Sequence, residues 1–114
     1  MNAYEIPNLR YSLPAGGDIE RHRLVTVDAN GNGIQASTST TPVIGASMNK
    51  AANGEVLEVA DGIVMVEAGG AITAGTNVTA DSDGKAVTRT ATGISNAVAL
   101  TDGVAGGLVA VKIS

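Results

Sequence analysis

The clearest alternation of apolar and polar positions lies in residues 55–68. It reads Glu55-Val56-Leu57-Glu58-Val59-Ala60, then Asp61-Gly62, then Ile63-Val64-Met65-Val66-Glu67-Ala68. Two β-branched runs separated by Asp-Gly predict a β-hairpin, because both turn residues tolerate the positive φ of a type I′ turn. In that hairpin Ala60 faces Ile63, Val59 faces Val64, Leu57 faces Val66 and Glu55 faces Ala68. Side chains alternate along a strand. One face then carries Leu57, Val59, Val64 and Val66, and is a core face. The other carries Val56, Glu58, Met65 and Glu67, a mixed face suited to contact with another subunit.

The rest of the chain is strand punctuated by turns. Strands are expected in 23–28, 34–36, 43–46, 77–80, 85–89, 97–100 and 108–113. Turns fall at Asp28-Ala29-Asn30-Gly31-Asn32-Gly33, at Asp81-Ser82-Asp83-Gly84 and in 101–107. A Ser/Thr run over 37–41 ends at Pro42 and reads as loop. No stretch sustains a helical period, so at most a short helical turn near 48–52 is expected. The pattern also echoes itself. Thr26-Val27-Asp28 through Gly31 resembles Thr79-Ala80-Asp81 through Gly84, a shift of 53. Met48, Gly54, Val56, Leu57 and Val59 match Leu100, Gly106, Leu108, Val109 and Val111, a shift of 52. The fold class predicted is all-β: a small barrel or sandwich of short antiparallel strands, laid out as a pseudo-twofold duplication.

Residues 1–17 read differently. Pro7 and Pro14 interrupt regular structure and Gly16-Gly17 makes a joint. Yet this stretch carries Tyr4, Ile6, Leu9, Arg10, Tyr11 and Leu13, including both tyrosines of the protein. Tyr and Arg anchor interfaces well. Residues 1–17 are therefore expected as an extended N-terminal arm that orders on a partner, and residues 18–114 as a single β-rich domain.

Composition narrows the function. With no Phe, no Trp and 15 glycines, the interior must be Val, Ile, Leu, Ala and Met. Each of the larger ones contributes roughly 1.5–3 kcal/mol when buried, and Ala much less. A lone domain of this kind is expected to be marginal, and burial at a subunit interface would offset that. The chain has no Cys, which removes disulfides and thiolate metal sites and suits a reducing compartment. No apolar run approaches a membrane span, and no basic-then-apolar leader is seen. Net charge is −4. Sparse cations and missing aromatic platforms speak against nucleic-acid binding.

Candidate chemistry is thin. Asp28-Ala29-Asn30-Gly31-Asn32-Gly33 matches the opening of a calcium loop, but Ser39 stands where a bidentate Glu is needed, and a hairpin turn is the better reading. His22, the single His, has no nucleophile motif to serve. Glu58 and Glu67 would share a hairpin face as a glycosidase pair does, yet nothing aromatic is there to stack a sugar. No catalytic residue, metal site or cofactor is expected.

One ordered set of residues does point to a family. Asp18-Ile19 before Leu24-Val25, Val43-Ile44-Gly45-Ala46, Asn53-Gly54-Glu55-Val56, Asp61-Gly62, Ala71-Ile72-Thr73-Ala74-Gly75, Val78-Thr79, Asp83-Gly84-Lys85-Ala86 and Ala105-Gly106-Gly107-Leu108-Val109 follow in the order found in capsid decoration, or cement, proteins of tailed bacteriophages. The chain resembles that family from Ile19 to Ile113. The resemblance implies a small β-rich structural protein of the virion, commonly trimeric, on the outer capsid surface. There it would bridge neighbouring subunits of the major capsid protein. The arm from Tyr4 to Leu13 would be the capsid-reaching element. A different class stays open: a lipoyl- or biotinyl-type carrier domain, also small and duplicated, which needs a displayed Lys. Lys85 follows a turn but lacks the apolar flank expected. A tail-fibre or adhesin module would share the same binding logic.

Overall fold

A computed structural model of the chain describes residues 6–90, 93 and 95–113. It contains nine strands: β1 (Ile6–Pro14), β2 (Leu24–Val27), β3 (Gly33–Gln35), β4 (Gly45–Ser47), β5 (Val56–Glu67), β6 (Asn77–Ala80), β7 (Ala86–Thr88), β8 (Ala97–Ala99) and β9 (Leu108–Ile113). No helix occurs among the described residues. In place of the helical turn expected near 48–52, Ala51 forms an antiparallel bridge with Ile19. All strand pairs are antiparallel, in one sheet ordered β3-β2-β4-β5-β9-β8-β6-β7, with β1 also on β5. The sheet curls into a half-barrel, in keeping with the all-β class of short antiparallel strands, barrel or sandwich, that the alternation predicts.

The central hairpin is absent. Residues 56–67 form one unbroken strand, β5, that runs straight through Asp61 and Gly62. Gly62 does hold a positive φ of 88°, but no chain reversal follows. The reason lies in the partners. β1 lies along Val56 to Ile63, with Leu13 opposite Leu57 and Tyr11 opposite Val59. β9 lies along Gly62 to Glu67, with Val109 opposite Val66. β4 adds Ala46 and Ser47 opposite Ala60 and Val59. Each half of β5 thus finds its ladder in a distant strand, and a local turn preference does not compete with three strands of pairing.

The duplication explains why. β2 maps onto β6 and β3 onto β7 with a shift of 53, Leu24 to Asn77 and Gly33 to Ala86; β4 maps onto β8 and β5 onto β9 with a shift of 52, Gly45 to Ala97 and Val56 to Leu108. The bridges repeat too: Ile19 with Ala51 matches Ile72 with Gly103, and Ala15 with Gly33 matches Ala68 with Ala86. On the same shift, β1 corresponds to the second half of β5: Leu13 pairs with Leu57 as Val66 pairs with Val109. β5 is therefore the last strand of the first repeat and the first strand of the second. Asp61-Gly62 marks the join.

Alternation along β5 feeds two interiors. Leu57 and Val59 join Ala15, Ile19, Val25 and Ala51, with Tyr11, Leu13 and Ile44 packed alongside. This is the first repeat's own core. Ala60, Val64 and Val66 point to the opposite side, into a larger cluster. That cluster holds the second repeat's core and an alanine-rich layer joining the repeats, including Leu24, Ala36, Ala46, Ala80, Ala86 and Ala99. Small side chains let the layers approach closely. The accessible surface is 5609 Å², against about 5,700 Å² expected for a compact monomer of this mass. A core without Phe or Trp is thus offset by packing.

Candidate functional site

The surface built on β1 and β5 carries most of the candidate contact residues. The described part of the arm is extended and is itself strand β1, fixed by the ladder to β5. One extra residue on β1 between Pro7 and Arg10 makes a bulge. Asp61 takes up the slack there: its Oδ1 accepts a hydrogen bond from Leu9 N–H at 3.0 Å. Alternation then divides the arm. Tyr11 and Leu13 turn inward against Leu57 and Val59. Partial burial raises the Tyr11 pKa, and the Asp61 charge adds to that. Leu9 and Arg10 face solvent; Leu9 is 54% exposed. Ile6 lies in β1 opposite Ile63, and Tyr4 is outside the described residues.

The four β5 candidates do not share a face. In the expected hairpin Val56 would oppose Glu67 and Glu58 would oppose Met65. In one continuous strand they fall on opposite parities, and the structure separates them into two pairs. Val56 and Glu58 lie on one side, Val56 being 64% exposed. Glu58 pairs with Arg10 across the β1–β5 ladder at 3.1 Å. Both side chains are about half exposed, so this pair adds little stability. Met65 and Glu67 lie on the other side, both partly covered. Glu58 and Glu67 therefore do not form a facing carboxylate pair.

Glu67 sits at the junction of the repeats. Arg23 Nη1 reaches its Oε1 at 2.8 Å, and Lys85 Nζ reaches its Oε2 at 3.2 Å. The Arg23 hydrogen bond, then that of Lys85, holds the Glu67 carboxyl below its ordinary value. Arg23 comes from the first repeat and Lys85 from the second, so one carboxylate ties the two together. This also bears on a carrier role: Lys85 is held in an ion pair beside a buried Gly84, not displayed at a tip. His22 is part of the same junction. Its Nδ1 is 3.2 Å from Met65 C=O. Its N–H donates to Ser47 C=O, and its C=O accepts from Glu67 N–H. These are structural partners. His22 is the one non-glycine described at positive φ, 64°, and its counterpart in the second repeat is Gly75 at 88°.

The turn that resembled a calcium loop uses its carboxylate internally. Asp28 Oδ1 accepts from the N–H groups of Asn30 and Asn32, both at 2.9 Å. These bonds to Asn32 and Asn30 hold its pKa low. Asp81 does the same in the second repeat, accepting from Asp83 and Lys85 N–H. Among the described residues no group of three or more His, Asp or Glu converges to hold a metal ion. The signal that sequence reading missed is Ala15-Gly16-Gly17 against Ala68-Gly69-Gly70. This second echo at shift 53 runs upstream of the first. It places β1 and the end of β5 in equivalent positions.

A family model for phage cement proteins matches residues 4–113. The chain belongs to the phage cement protein family. That family is one of structural phage proteins, and the match takes in β1 as well as the repeats that follow it. A solved structure described as the head fiber gp8.5 N base in bacteriophage phi29 is similar in fold. Its TM-score is 0.76 at 21% identity, with 93% of each chain covered. No curated protein matches the sequence.

Proposed function

We propose that this cement-family protein is a structural, non-catalytic component of a phage virion. In this reading it binds the outer surface of the capsid as a homotrimer and bridges neighbouring major capsid subunits. The observation that carries the reading is the family match over residues 4–113. The physics is compatible with it. The described carboxylates at the repeat junction and in the turns serve the fold itself. A rigid module that binds only the assembled lattice stabilises that lattice by mass action, with no chemical step. Several copies joined together multiply the effect, because each further contact is made at high effective concentration.

Leu9 and Arg10 are the described arm residues placed to reach a partner, with Val56 and Glu58 beside them across the ladder. Removing residues 1–13 would strip β1 from β5 and uncover Leu57 and Val59, so deletion would confound binding with folding. Point changes separate the two. Leu9→Asp with Arg10→Glu should leave the circular dichroism spectrum and melting midpoint nearly unchanged. The pair should lower co-sedimentation with empty capsids at least tenfold. Undiminished co-sedimentation of that variant would remove β1 from the contact. No co-sedimentation of the unaltered protein with its capsid would remove the reading itself.

A further inference from the structure

The two repeats are joined inside the chain by a turn seated in a socket. Gly84, in the turn of the second repeat, is buried against the first. Its C=O accepts from Leu24 N–H at 2.8 Å, and Asp83 C=O accepts from Gln35 Nε2 at 3.2 Å. A Cβ placed on Gly84 would meet Ala36 C=O and the Cβ atoms of Arg23 and Gln35. The socket floor is Leu24, Ala36, Ala46 and Ala60, all fully buried, and the ladders run from Leu24 to Ala46 to Ala60.

The same two parts exist again, and among the described residues nothing seats the one in the other. The first repeat has the equivalent turn, with Gly31 at φ 81° against 76° for Gly84. The internal bonds match as well: Gly31 N–H donates to Asp28 C=O as Gly84 N–H donates to Asp81 C=O. Yet Gly31 is exposed, and nothing lies within 4 Å of a Cβ built on it. The second repeat has the equivalent socket. Asn77, Arg89, Val98 and Lys112 stand where Leu24, Ala36, Ala46 and Ala60 stand. Their ladder runs Asn77 to Val98 to Lys112, and Arg89 N–H donates to Asn77 C=O as Ala36 N–H donates to Leu24 C=O. All four are exposed. Beside them is an open cleft of about 460 Å³ lined by Gly75, Thr76, Asn77, Thr88, Arg89 and Thr90. Of these, Thr76, Asn77, Thr88 and Arg89 are the counterparts of Arg23, Leu24, Gln35 and Ala36, which hold Gly84.

We propose that a second copy of this chain fills the cleft, seating its turn at residues 28–31 against Asn77, Arg89, Val98 and Lys112. The inference rests on the oligomeric reading above and supplies its interface. The sign of charge suits the occupant: of the four socket residues Arg89 and Lys112 are cationic and none is a carboxylate, while the turn carries Asp28 and no cation. Asp28 also accepts from Asn30 and Asn32 N–H, and Arg89 Nε donates to Gly93 C=O. An apolar pair supports it too. Val27, 42% exposed just before the turn, is the counterpart of buried Ala80, and Val98 offers an apolar surface in the socket. The polar floor keeps an unfilled socket soluble. Contact of this kind is head-to-tail, so it closes into a ring when the rotation permits.

The sequence contains no Cys, so engineered thiols report cleanly. Asn30 and Thr88 are the counterparts of Asp83 and Gln35, which touch within the chain. Asn30→Cys and Thr88→Cys single variants, mixed and oxidised, should give a disulfide-linked dimer that neither forms alone. The double variant should give a covalent oligomer of the size found by light scattering. Thr88→Trp, which fills the cleft from an exposed position, should convert the protein to monomer with an unchanged fold. Gln35→Cys with Asp83→Cys should close within one chain and calibrate the chemistry. If that control closes and light scattering shows an oligomer, but no mixed Asn30–Thr88 disulfide forms, this interface is wrong. A monomer that still sediments with capsids also overturns the interface and leaves the capsid reading standing. A cross-linked ring that ignores capsids does the reverse.

Discussion

The two repeats share a strand plan and differ in what surrounds it. Leu24, Ala36 and Ala46 in the first are buried; Asn77, Arg89 and Val98 in the second are exposed. Gly84 is buried and Gly31 is not. Glu67 binds two cations across the junction, whereas its counterpart, Pro14, has neither a carboxylate nor an N–H to offer. Backbone geometry has survived duplication where turns and ladders need it, and side chains have changed according to what covers them. Counterparts such as Ile19 and Ile72, or Leu57 and Val109, are buried in both repeats; where burial differs, the difference follows from what the other repeat covers.

The comparison can be broken first at the core. Leu57→Ala should lower the unfolding free energy by about 2–5 kcal/mol. Urea melts should still show one transition, because both repeats own β5. Two separated transitions would mean that the repeats are independent units. Next is a packing exchange. A Cβ on Gly33 would come within 2.7 Å of Leu57 Cδ2, while the second repeat places Ala86 with Val109. Gly33→Ala should therefore cost about 1–3 kcal/mol by overpacking. The double change Gly33→Ala with Leu57→Val, which copies the second repeat, should regain at least half of the summed single effects. Strict additivity would show that the two positions do not trade volume.

Smaller effects test the junction. Because Glu67 is held below its ordinary pKa by Arg23 and Lys85, its contribution is complete above the usual carboxylate range. It is lost as pH falls through the lowered folded-state value. Glu67→Gln should cost about 1 kcal/mol at neutral pH, and the gap to the unaltered protein should narrow in acid. A gap independent of pH would mean that charge is not what Glu67 supplies. The finest test concerns the left-handed pair. His22→Gly relieves the backbone by about 1 kcal/mol and loses a ring hydrogen bond worth about the same, so its melting midpoint should barely move. Gly75→Ala has nothing to offset its strain and should lose about 1–2 kcal/mol.

Much of this was legible in the residues. β-branched runs and Asp/Gly turns marked seven of the nine strands within a residue or two, and shifts of 53 and 52 marked the duplication; β1 was read as an arm broken by Pro7 and Pro14, and β5 as a hairpin. Leu57, Val59, Val64 and Val66 were all expected to be buried, and all are. The error was one of connection. Asp61-Gly62 satisfies every local rule for a turn, and what overrides it is pairing with β1 and β9, far away in sequence. Ala15-Gly16-Gly17 and Ala68-Gly69-Gly70 contained the correction, since a repeat that begins at β1 leaves no room for a hairpin inside β5. The grouping of Val56 with Glu67 failed for the same reason. The turn-and-socket contact was not legible at all, because which of two equivalent glycines is covered depends on three-dimensional packing alone.

A strand held in common by both halves also governs how the molecule can assemble itself. The first half of β5 can be paired early, by β1 and β4, but its second half must wait for β9 at the far end of the second repeat. Such long-range closure is slow, and in the interval an apolar margin of Val64 and Val66 stands open to any passing strand. Newly made chains should accordingly be most vulnerable to clumping at the stage when half the protein already looks finished.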